Sequence, residues 1–371
     1  MPPDPAAENA TAAPATLGQP AAAAQLASML ASGRPHHGLI FEGPAGVGKF
    51  RSAIGLAWVL LCLDPPTPAS ACGVCGSCRR LAGEPEDAGE RHPDLHVVTK
   101  ELSRFSDDAS TRNRKLTSIP VEVLREHLIE PAHRSPQMGP RKVFVLDEAE
   151  LLNPAGQNVL LKTLEEPPPE TFLILVTSSA DRLLPTVRSR CQRVGFHPLP
   201  EAVVEAWVRD HAGDLDAPTR GWVTRFADGS IGRAGLALDR GLTGWAETLG
   251  PLLAAAAAGR AVPDLADAAN DAIKGFAESW VKENPQGSKE AANRRAAALL
   301  AHLLAREARD ALAAAARGCP ADDPIANERR VAAPLRAIEA IDRYQERLDG
   351  SVNLSLATAE LALGYAAAWR G

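Results

Sequence analysis

The sequence predicts an α/β fold, a parallel sheet with helices on both faces, followed by an all-helical C-terminal region. Short apolar runs at residues 37–41, 142–147 and 171–177 alternate with segments of helical periodicity, which is the pattern of parallel strands joined by helices. A Gly-rich loop follows the first run directly. From about Trp245 the chain is rich in alanine and shows no further strand pattern. A chain of 371 residues with these regions is expected to form two or three domains.

Composition argues against several classes of protein. The formal net charge of −6 argues against a generally basic surface that coats nucleic acid. No apolar run reaches about 18 residues, so we expect no membrane span. Residues 1–16 are rich in Ala and Pro without a basic flank, which predicts a disordered leader rather than a signal peptide. Four of the six cysteines lie between residues 62 and 78, which favours a metal site in a reducing compartment over a disulfide framework.

The N-terminal part of the chain supplies the first predicted elements. Apolar residues at helical spacing predict helices over residues 19–32 and 50–63, on either side of the first strand and the Gly-rich loop. After the cysteine cluster, residues 94–98 predict a strand. The polar segment 104–117 predicts a loop, and a helix is expected over residues 120–130.

The next part of the chain completes the predicted sheet. The strand at 142–147 reads Lys-Val-Phe-Val-Leu-Asp and ends in an acid. A helix over residues 153–165 is stopped by three consecutive prolines, and the strand at 171–177 follows them. No strand of this type is expected from Leu199 onward.

Residues 43–50 read Gly-Pro-Ala-Gly-Val-Gly-Lys-Phe, a phosphate-binding loop that departs from its pattern at one position. The pattern requires Gly, four residues, Gly-Lys, and then Ser or Thr. Gly43, Gly46 and Gly48 let the backbone approach phosphate oxygens, and Lys49 is expected to contact the outer phosphates. Phe50 stands where the hydroxyl that holds Mg²⁺ belongs. The sequence therefore predicts a nucleotide cradle with a damaged metal site, and it leaves open whether ATP and Mg²⁺ bind.

Asp147 and Glu148 end the acidic strand. In nucleotide motors the first acid lies near Mg²⁺ and the second activates the attacking water. The alternative is that the pair only caps the following segment. Because Phe50 removes one metal ligand, we interpret Glu148 as a vestigial base and expect weak or absent ATPase activity.

Four cysteines with short spacing form the second strong motif. They are Cys62, Cys72, Cys75 and Cys78. Tetrahedral Zn²⁺ takes four thiolates at about 2.3 Å, and Cys-x2-Cys turns supply this geometry. With no open coordination position the site would be structural, contributing on the order of 10 kcal/mol to local folding. The alternative is a group of incidental thiols.

Ser189, Arg190 and Cys191 follow the last predicted strand. An arginine at this place can reach a neighbour's nucleotide and stabilise the charge that develops on a transferred phosphoryl group. From the residues alone, a solvated arginine or a local salt bridge is the favoured alternative.

Together these residues resemble the bacterial clamp-loader subunits of the AAA+ class. The resemblance covers about residues 17–240 and rests on the loop at 43–49, the four-cysteine insert and the Ser-Arg-Cys motif at 189–191. It also rests on residues 160–168, which read Leu-Leu-Lys-Thr-Leu-Glu-Glu-Pro-Pro. These motifs fit both the ATP-hydrolysing gamma/tau branch and the delta-prime branch of DNA polymerase III.

Three features make the chain more similar to the delta-prime branch. They are Phe50, the run His-Pro-Asp-Leu at residues 92–95, and the run Asp-Glu-Ala-Glu at residues 147–150. The resemblance then implies an AAA+ P-loop domain with a zinc-knuckle insert over residues 17–198. A small helical lid over residues 199–242 and a helical collar over residues 245–371 follow from the same resemblance.

The resemblance also implies roles for matched residues. Arg190 would be a trans arginine finger for a neighbouring gamma/tau ATP site, and Thr177 falls where the family senses nucleotide. Arg233 is either a second sensor or a surface residue of the lid, and both interpretations stay open.

The partners implied are gamma/tau and delta subunits in a five-subunit ring that opens a sliding clamp and places it on primed DNA in the cytoplasm. The chain would be a non-catalytic partner. One alternative is an active gamma/tau-like ATPase, supported by Lys49, Asp147 and Glu148. Another is a zinc-dependent DNA-binding module that uses Arg79 and Arg80.

Overall fold

The computed structural model describes residues 16–112, 118–283, 288–317, 324–348, 350 and 352–370. They form two compact units. The first contains the chain up to Pro200 together with Gly229–Gly232, and the second contains Glu201–Asp228 and the chain from Arg233. The predicted leader lies outside the described residues except for its last position. The predicted boundaries of the lid and the collar stay predictions.

The first unit is built on a five-stranded parallel sheet. Its strands are β1 (Gly38–Glu42), β2 (Leu95–Val98), β3 (Lys142–Leu146), β4 (Thr171–Thr177) and β5 (Gln192–Gly195). Their order across the sheet is β2-β3-β4-β1-β5, and every pair of neighbours is parallel. On β1, Ile40 lies opposite Leu175 on one side and Arg193 on the other, so the strand that leads into the Gly-rich loop is internal to the sheet.

The predicted parallel sheet is confirmed, but the fifth strand was missed. β5 has only four residues, and polar Gln192 and Arg193 take two of them. As an edge strand, β5 has a less buried sequence than the apolar strands inside the sheet. An edge strand of this composition gives no apolar run for a sequence pattern to detect.

Helices cover both faces of this sheet, as expected. The helices of the first unit are α1 (Pro20–Ala31), α2 (Lys49–Leu61), α3 (Gly76–Leu81), α4 (Ala88–Arg91), α5 (Ala109–Arg112), α6 (Val121–Leu124), α7 (Glu130–Ala132), α8 (Pro154–Glu165) and α9 (Pro185–Arg188). Because side chains alternate along a strand, Leu39 and Phe41 enter the core under α1 and α2, while Ile40 enters the core under α6 and α8.

The predicted loop at 104–117 is wrong over residues 104–105 and 109–112, which are helical, and right over residues 106–108. Lys100–Phe105 forms a 3₁₀ helix and α5 follows it, while residues 113–117 lie outside the described part. Polar side chains stabilise these turns locally. The Asp108 carboxylate accepts bonds from the Thr111 amide at 3.1 Å and the Thr111 hydroxyl at 2.9 Å. The polar residues thus cap helical turns, an effect that composition alone does not reveal.

The described residues of the second unit form helices joined by turns and loops, without a strand, which confirms the expected C-terminal architecture. Its helices are α10 (Glu201–His211), α11 (Ala217–Ala227), α12 (Ile231–Asp239, whose first two residues belong to the first unit), α13 (Gly244–Thr248), α14 (Gly250–Ala257), α15 (Leu265–Glu283), α16 (Lys289–Arg317), α17 (Pro324–Leu348) and α18 (Leu354–Ala368). Across both units, none of the described helices combines the length and apolar character that a bilayer crossing requires.

Gly43, directly after β1, leaves no room for a side chain. Its φ is 142°, and a Cβ there would lie 2.1 Å from the Phe196 carbonyl oxygen. We therefore expect Gly43→Ala to destabilise the protein by about 2–4 kcal/mol, since it combines an unfavourable φ with a backbone overlap. Gly33→Ala is the control. It has a φ of 69° with open space around it, so only about 1 kcal/mol is expected. Thermal unfolding of both variants checks this, and equal losses would contradict the overlap.

Candidate functional site

The Gly-rich loop joins β1 to the N-terminus of α2 in the arrangement that a phosphate-binding loop requires. Gly43, Gly46 and Gly48 have φ angles of 142°, 75° and 98°, which L side chains rarely adopt. The sequence prediction that glycines shape this loop therefore has a conformational reason at each position. α2 begins at Lys49, so its first N–H groups face the interior of the loop.

Lys49 is buried in the loop that it was expected to serve. The side chain is only 6% exposed, and its ammonium donates to the carbonyl oxygens of Gly43 at 2.7 Å and Pro44 at 2.6 Å. Burial lowers the Lys49 pKa to about 8, although the nearby Glu150 and Asp147 carboxylates oppose the shift. The ammonium is therefore held by two backbone carbonyls of its own loop, which use two of its three N–H donors.

The next two carbonyls of the loop are occupied by a segment distant in sequence. The Ser230 hydroxyl donates to Ala45 O at 3.0 Å, and the Gly232 amide donates to Gly46 O at 2.9 Å. A Cβ at Gly232 would come within 2.7 Å of the Gly46 Cα, so the two backbones touch. Four successive carbonyls of the loop thus accept hydrogen bonds from protein donors.

Asp147 follows β3 at the same edge of the sheet. Its amide donates to Val98 O at 3.0 Å, and its carboxylate accepts the Glu148 amide at 3.0 Å. Burial raises the Asp147 pKa to about 6, and the neighbouring Glu148 and Glu150 carboxylates add to the shift, while the hydrogen bond from the Glu148 amide and the Lys49 charge oppose it.

Glu148 follows Asp147 directly at the end of β3. Its backbone is in the left-handed region, with a φ of 49°. Its carboxylate forms an ion pair with Lys100, with 2.6 Å between Lys100 Nζ and Glu148 Oε2. The interpretation of Glu148 as a vestigial base stays a prediction.

Thr177 at the end of β4 and Ser178 after it both form hydrogen bonds with nearby protein groups. The Thr177 hydroxyl is buried and accepts the Ser179 amide at 3.1 Å. The hydroxyl and amide of Ser178 both donate to the Glu150 carboxylate, the amide at 3.2 Å. Sequence reasoning did not assign Glu150 a role in the site, although it is the third acid in the run that includes Asp147 and Glu148.

Arg233 bonds to backbone carbonyls within the second unit. It donates to the Ala227 carbonyl from Nε and to the Asp228 carbonyl from Nη2, both at 2.9 Å.

Phe50 lies in the first turn of α2, and its ring packs against the core under α1 and α2. The ring therefore contributes to the core in addition to removing the hydroxyl.

Arg190 lies between α9 and the edge strand β5, not beyond the last strand as expected. Its side chain is 35% exposed. Nη1 donates to Thr186 O at 2.9 Å, and Nη2 lies 2.6 Å from Glu165 Oε1 at the end of α8. The local salt bridge considered from the residues alone is thus present, and it holds a partly exposed guanidinium.

The four clustered cysteines come together in space. The Sγ atoms of Cys62, Cys72, Cys75 and Cys78 all lie within 4.8 Å of one another, and those of Cys72 and Cys78 are 3.9 Å apart. Four ligands at about 2.3 Å in a tetrahedron would be about 3.8 Å apart, so this donor set fits one metal ion.

Backbone amides support thiolate character in the cysteine cluster. The amides of Cys72, Cys75 and Cys78 donate to the sulfurs of Cys62, Cys72 and Cys75 at 3.2, 3.3 and 3.4 Å. Burial acts to raise the Cys75 pKa, but hydrogen bonds from Cys78, Leu63 and Cys72 outweigh it and lower this pKa to about 6. Cys75 can therefore be ionised near neutral pH, whereas burial raises the pKa of the Cys62 and Cys78 thiols.

The first unit is similar in sequence to known subunits of DNA polymerase III. Residues 18–200 match the family described as DNA polymerase III, delta subunit. The delta' subunit of Escherichia coli is 34% identical over 218 residues, which is 58% of each chain. The delta' subunit of Pseudomonas aeruginosa is 39% identical over 166 residues, 45% of this chain and 44% of that one. The gamma/tau subunit of Mycobacterium bovis is 35% identical over 190 residues, 51% of this chain and 29% of that one. This chain thus spans between 29% and 58% of these relatives' lengths.

Asp147 provides a test of the buried site. Its folded-state pKa is raised from 3.8 to about 6, so the native state binds more protons than the unfolded state between these values. Stability is therefore lost as pH rises through this window. Asp147→Asn removes the titration, and we expect the variant to gain about 1–3 kcal/mol relative to wild type between pH 4 and pH 7. Thermal unfolding across this pH range measures the difference.

The matched control for this experiment is Asp181→Asn, which removes a carboxylate whose side chain is 92% exposed. It reports the effect of losing a surface charge. A difference between Asp147→Asn and wild type that stays constant across the pH range would contradict the burial of the Asp147 carboxyl group.

Proposed function

Because residues 18–200 of this chain belong to the DNA polymerase III delta-subunit family, we propose that the protein is a delta-prime-type subunit of a bacterial clamp loader. In this proposal it joins gamma/tau and delta subunits in a five-subunit AAA+ ring in the cytoplasm. The ring loads a sliding clamp onto primed DNA, and the helices from residue 245 onward serve as its collar. The chain contributes structure and one arginine, while neighbouring subunits hydrolyse ATP.

The observation that carries this proposal is Phe50, which follows Lys49 at the position where the phosphate-binding pattern requires Ser or Thr. An ATPase of this class uses the hydroxyl at that position to hold Mg²⁺. A phenyl ring supplies no metal ligand, and charge neutralisation by the metal is a large part of the rate in phosphoryl transfer. The substitution therefore favours weak or absent turnover by this chain.

Arg190 is the group that this proposal assigns to the neighbouring subunit. It is partly exposed, and it lies in the Ser-Arg-Cys motif next to the edge strand of the sheet. An arginine supplied from a neighbour stabilises the charge that develops on the transferred phosphoryl group, and such fingers raise turnover by about 10³–10⁵-fold. In this role Arg190 acts on ATP that its own chain does not hold.

A gamma/tau-like ATPase is the second candidate. It is favoured by the presence of Lys49, Asp147 and Glu148, and by the 35% identity to a gamma/tau subunit over 190 residues. Under that alternative, Phe50→Ser would raise Mg²⁺-dependent turnover of the chain alone. Under the favoured proposal it does not, since Lys49 and Glu148 keep their partners.

The four clustered thiols are proposed to hold one structural Zn²⁺. The sulfur spacing and the backbone amides that donate to the sulfurs support this assignment, because both suit a closed tetrahedral thiolate site. With all four positions filled by protein, the ion would stabilise the insert and take no part in hydrolysis.

The finger assignment is tested in a reconstituted complex of this chain with its gamma/tau and delta partners. We expect Arg190→Ala to lower DNA-stimulated ATP hydrolysis at least tenfold while the complex still assembles, because it removes charge stabilisation in the transition state. The chain alone should show no turnover that depends on Lys49. Arg188→Ala is the control, since Arg188 pairs with Asp181 at 2.8 Å on the same short helix. An unchanged rate with Arg190→Ala would exclude the assignment.

The metal assignment predicts one zinc ion per chain by elemental analysis. Replacing Cys72 and Cys75 by serine should abolish zinc binding and lower the thermal stability of the protein, because structural zinc couples to folding. Cys191→Ser is the matched control. Cys191 lies in the same unit but outside the cluster, so its replacement should leave the zinc content at one. Native protein without zinc would rule out the site.

A further inference from the structure

We propose that Glu165 is a positioning residue for Arg190, holding its guanidinium in the orientation in which it meets a neighbour's nucleotide. This inference rests on the proposed function, since it presumes that Arg190 acts in trans. It adds a residue outside the Ser-Arg-Cys motif to the machinery of that site. Nothing in the sequence distinguishes Glu165 from Glu166, which follows it.

The contact is made between two separate elements. Glu165 is the last residue of α8, and Arg190 follows α9, so the 2.6 Å ion pair joins the end of one helix to the approach to β5. A second terminal nitrogen of Arg190 is fixed at 2.9 Å on the carbonyl of Thr186, inside α9. Two nitrogens of one planar group are thus held by acceptors from two helices. This arrangement defines the plane of the guanidinium.

The contacts leave donors for a phosphate. A guanidinium carries five N–H groups in a fixed fork. The Glu165 carboxylate oxygen, the Thr186 carbonyl oxygen and the Ser189 hydroxyl, which lies 3.4 Å from Nη1, do not use all of them, and the side chain of Arg190 stays 35% exposed. The positioning contacts and a phosphate can therefore be bound at the same time.

The energy of the pair indicates orientation rather than stability. Glu165 is 48% exposed, and ion pairs this accessible stabilise a fold by only about 0–1 kcal/mol. An arginine side chain carries about 2 kcal/mol of rotamer entropy, which an unrestrained finger would lose in the transition state. When Glu165 restrains the Arg190 side chain before the reaction, part of this entropy cost no longer adds to the activation barrier for ATP hydrolysis. Loss of Glu165 should then slow hydrolysis without weakening the fold.

The experiment uses the full chain in the reconstituted complex with ATP and primed DNA. We expect Glu165→Gln to lower the kcat for ATP hydrolysis about three- to tenfold, with the KM for ATP and complex assembly unchanged. Glu166→Gln is the matched control, because Glu166 has the same chemistry and makes no ion pair among the described residues. Its kcat should equal that of wild type. In an Arg190→Ala background, Glu165→Gln should have no further effect.

The outcomes separate this inference from the proposed function. If Arg190→Ala slows hydrolysis but Glu165→Gln does not, the positioning role is wrong and the finger assignment stands. If Arg190→Ala has no effect, the finger assignment fails and the positioning role fails with it. A rise in kcat with Glu165→Gln would show that Glu165 restrains the finger, which overturns the proposal. An equal loss in the Arg190→Ala background would show a general structural effect and also overturn it.

Discussion

The hydrogen bonds from the buried Lys49 ammonium to its own loop are the constraint that sets the structure of the loop between β1 and α2. A cation that is only 6% exposed needs acceptors, and the Gly43 and Pro44 carbonyls supply them while Asp147 and Glu150 supply compensating charge. The Ser230 hydroxyl and the Gly232 amide satisfy the two carbonyls that follow. Four successive carbonyls of the loop are thus paired with protein donors, which fixes the conformation of the loop.

Lys49 and Arg190, two cations that the sequence singles out in the first unit, differ in exposure. Lys49 is buried and bonds to carbonyls of its own loop. Arg190 is held by Glu165 and the Thr186 carbonyl but stays partly exposed. A buried charge that is internally satisfied contributes to the fold, whereas an exposed and oriented charge can contact another molecule. Under the proposed function, that molecule is the nucleotide of a neighbouring subunit.

Much of the fold and of the candidate site could be predicted from the sequence, because short stretches of neighbouring residues encode it. The strands inside the sheet are apolar runs, the loop is a contiguous motif, and the knuckle has short cysteine spacing. The parts that could not be predicted depend on residues far apart in the chain. The pairing of Glu148 with Lys100 joins positions 48 apart, and the bond from Ser230 to Ala45 joins positions 185 apart. The periodicity of apolar residues along the sequence does not indicate contacts between positions so far apart. β5 was missed for a different reason, since an edge strand with polar residues lacks the apolar run of its neighbours.

Phe50 affects both the loop and the core, so replacing it changes two properties at once. The phosphate-binding pattern has a hydroxyl at this position, and the Phe50 ring packs against the core under α1 and α2. A serine there would restore an oxygen and lose packing, while Lys49 would still bind the loop carbonyls and Glu148 would still pair with Lys100. Any gain in metal binding from that serine would therefore come with a loss of stability from the emptied space in the core.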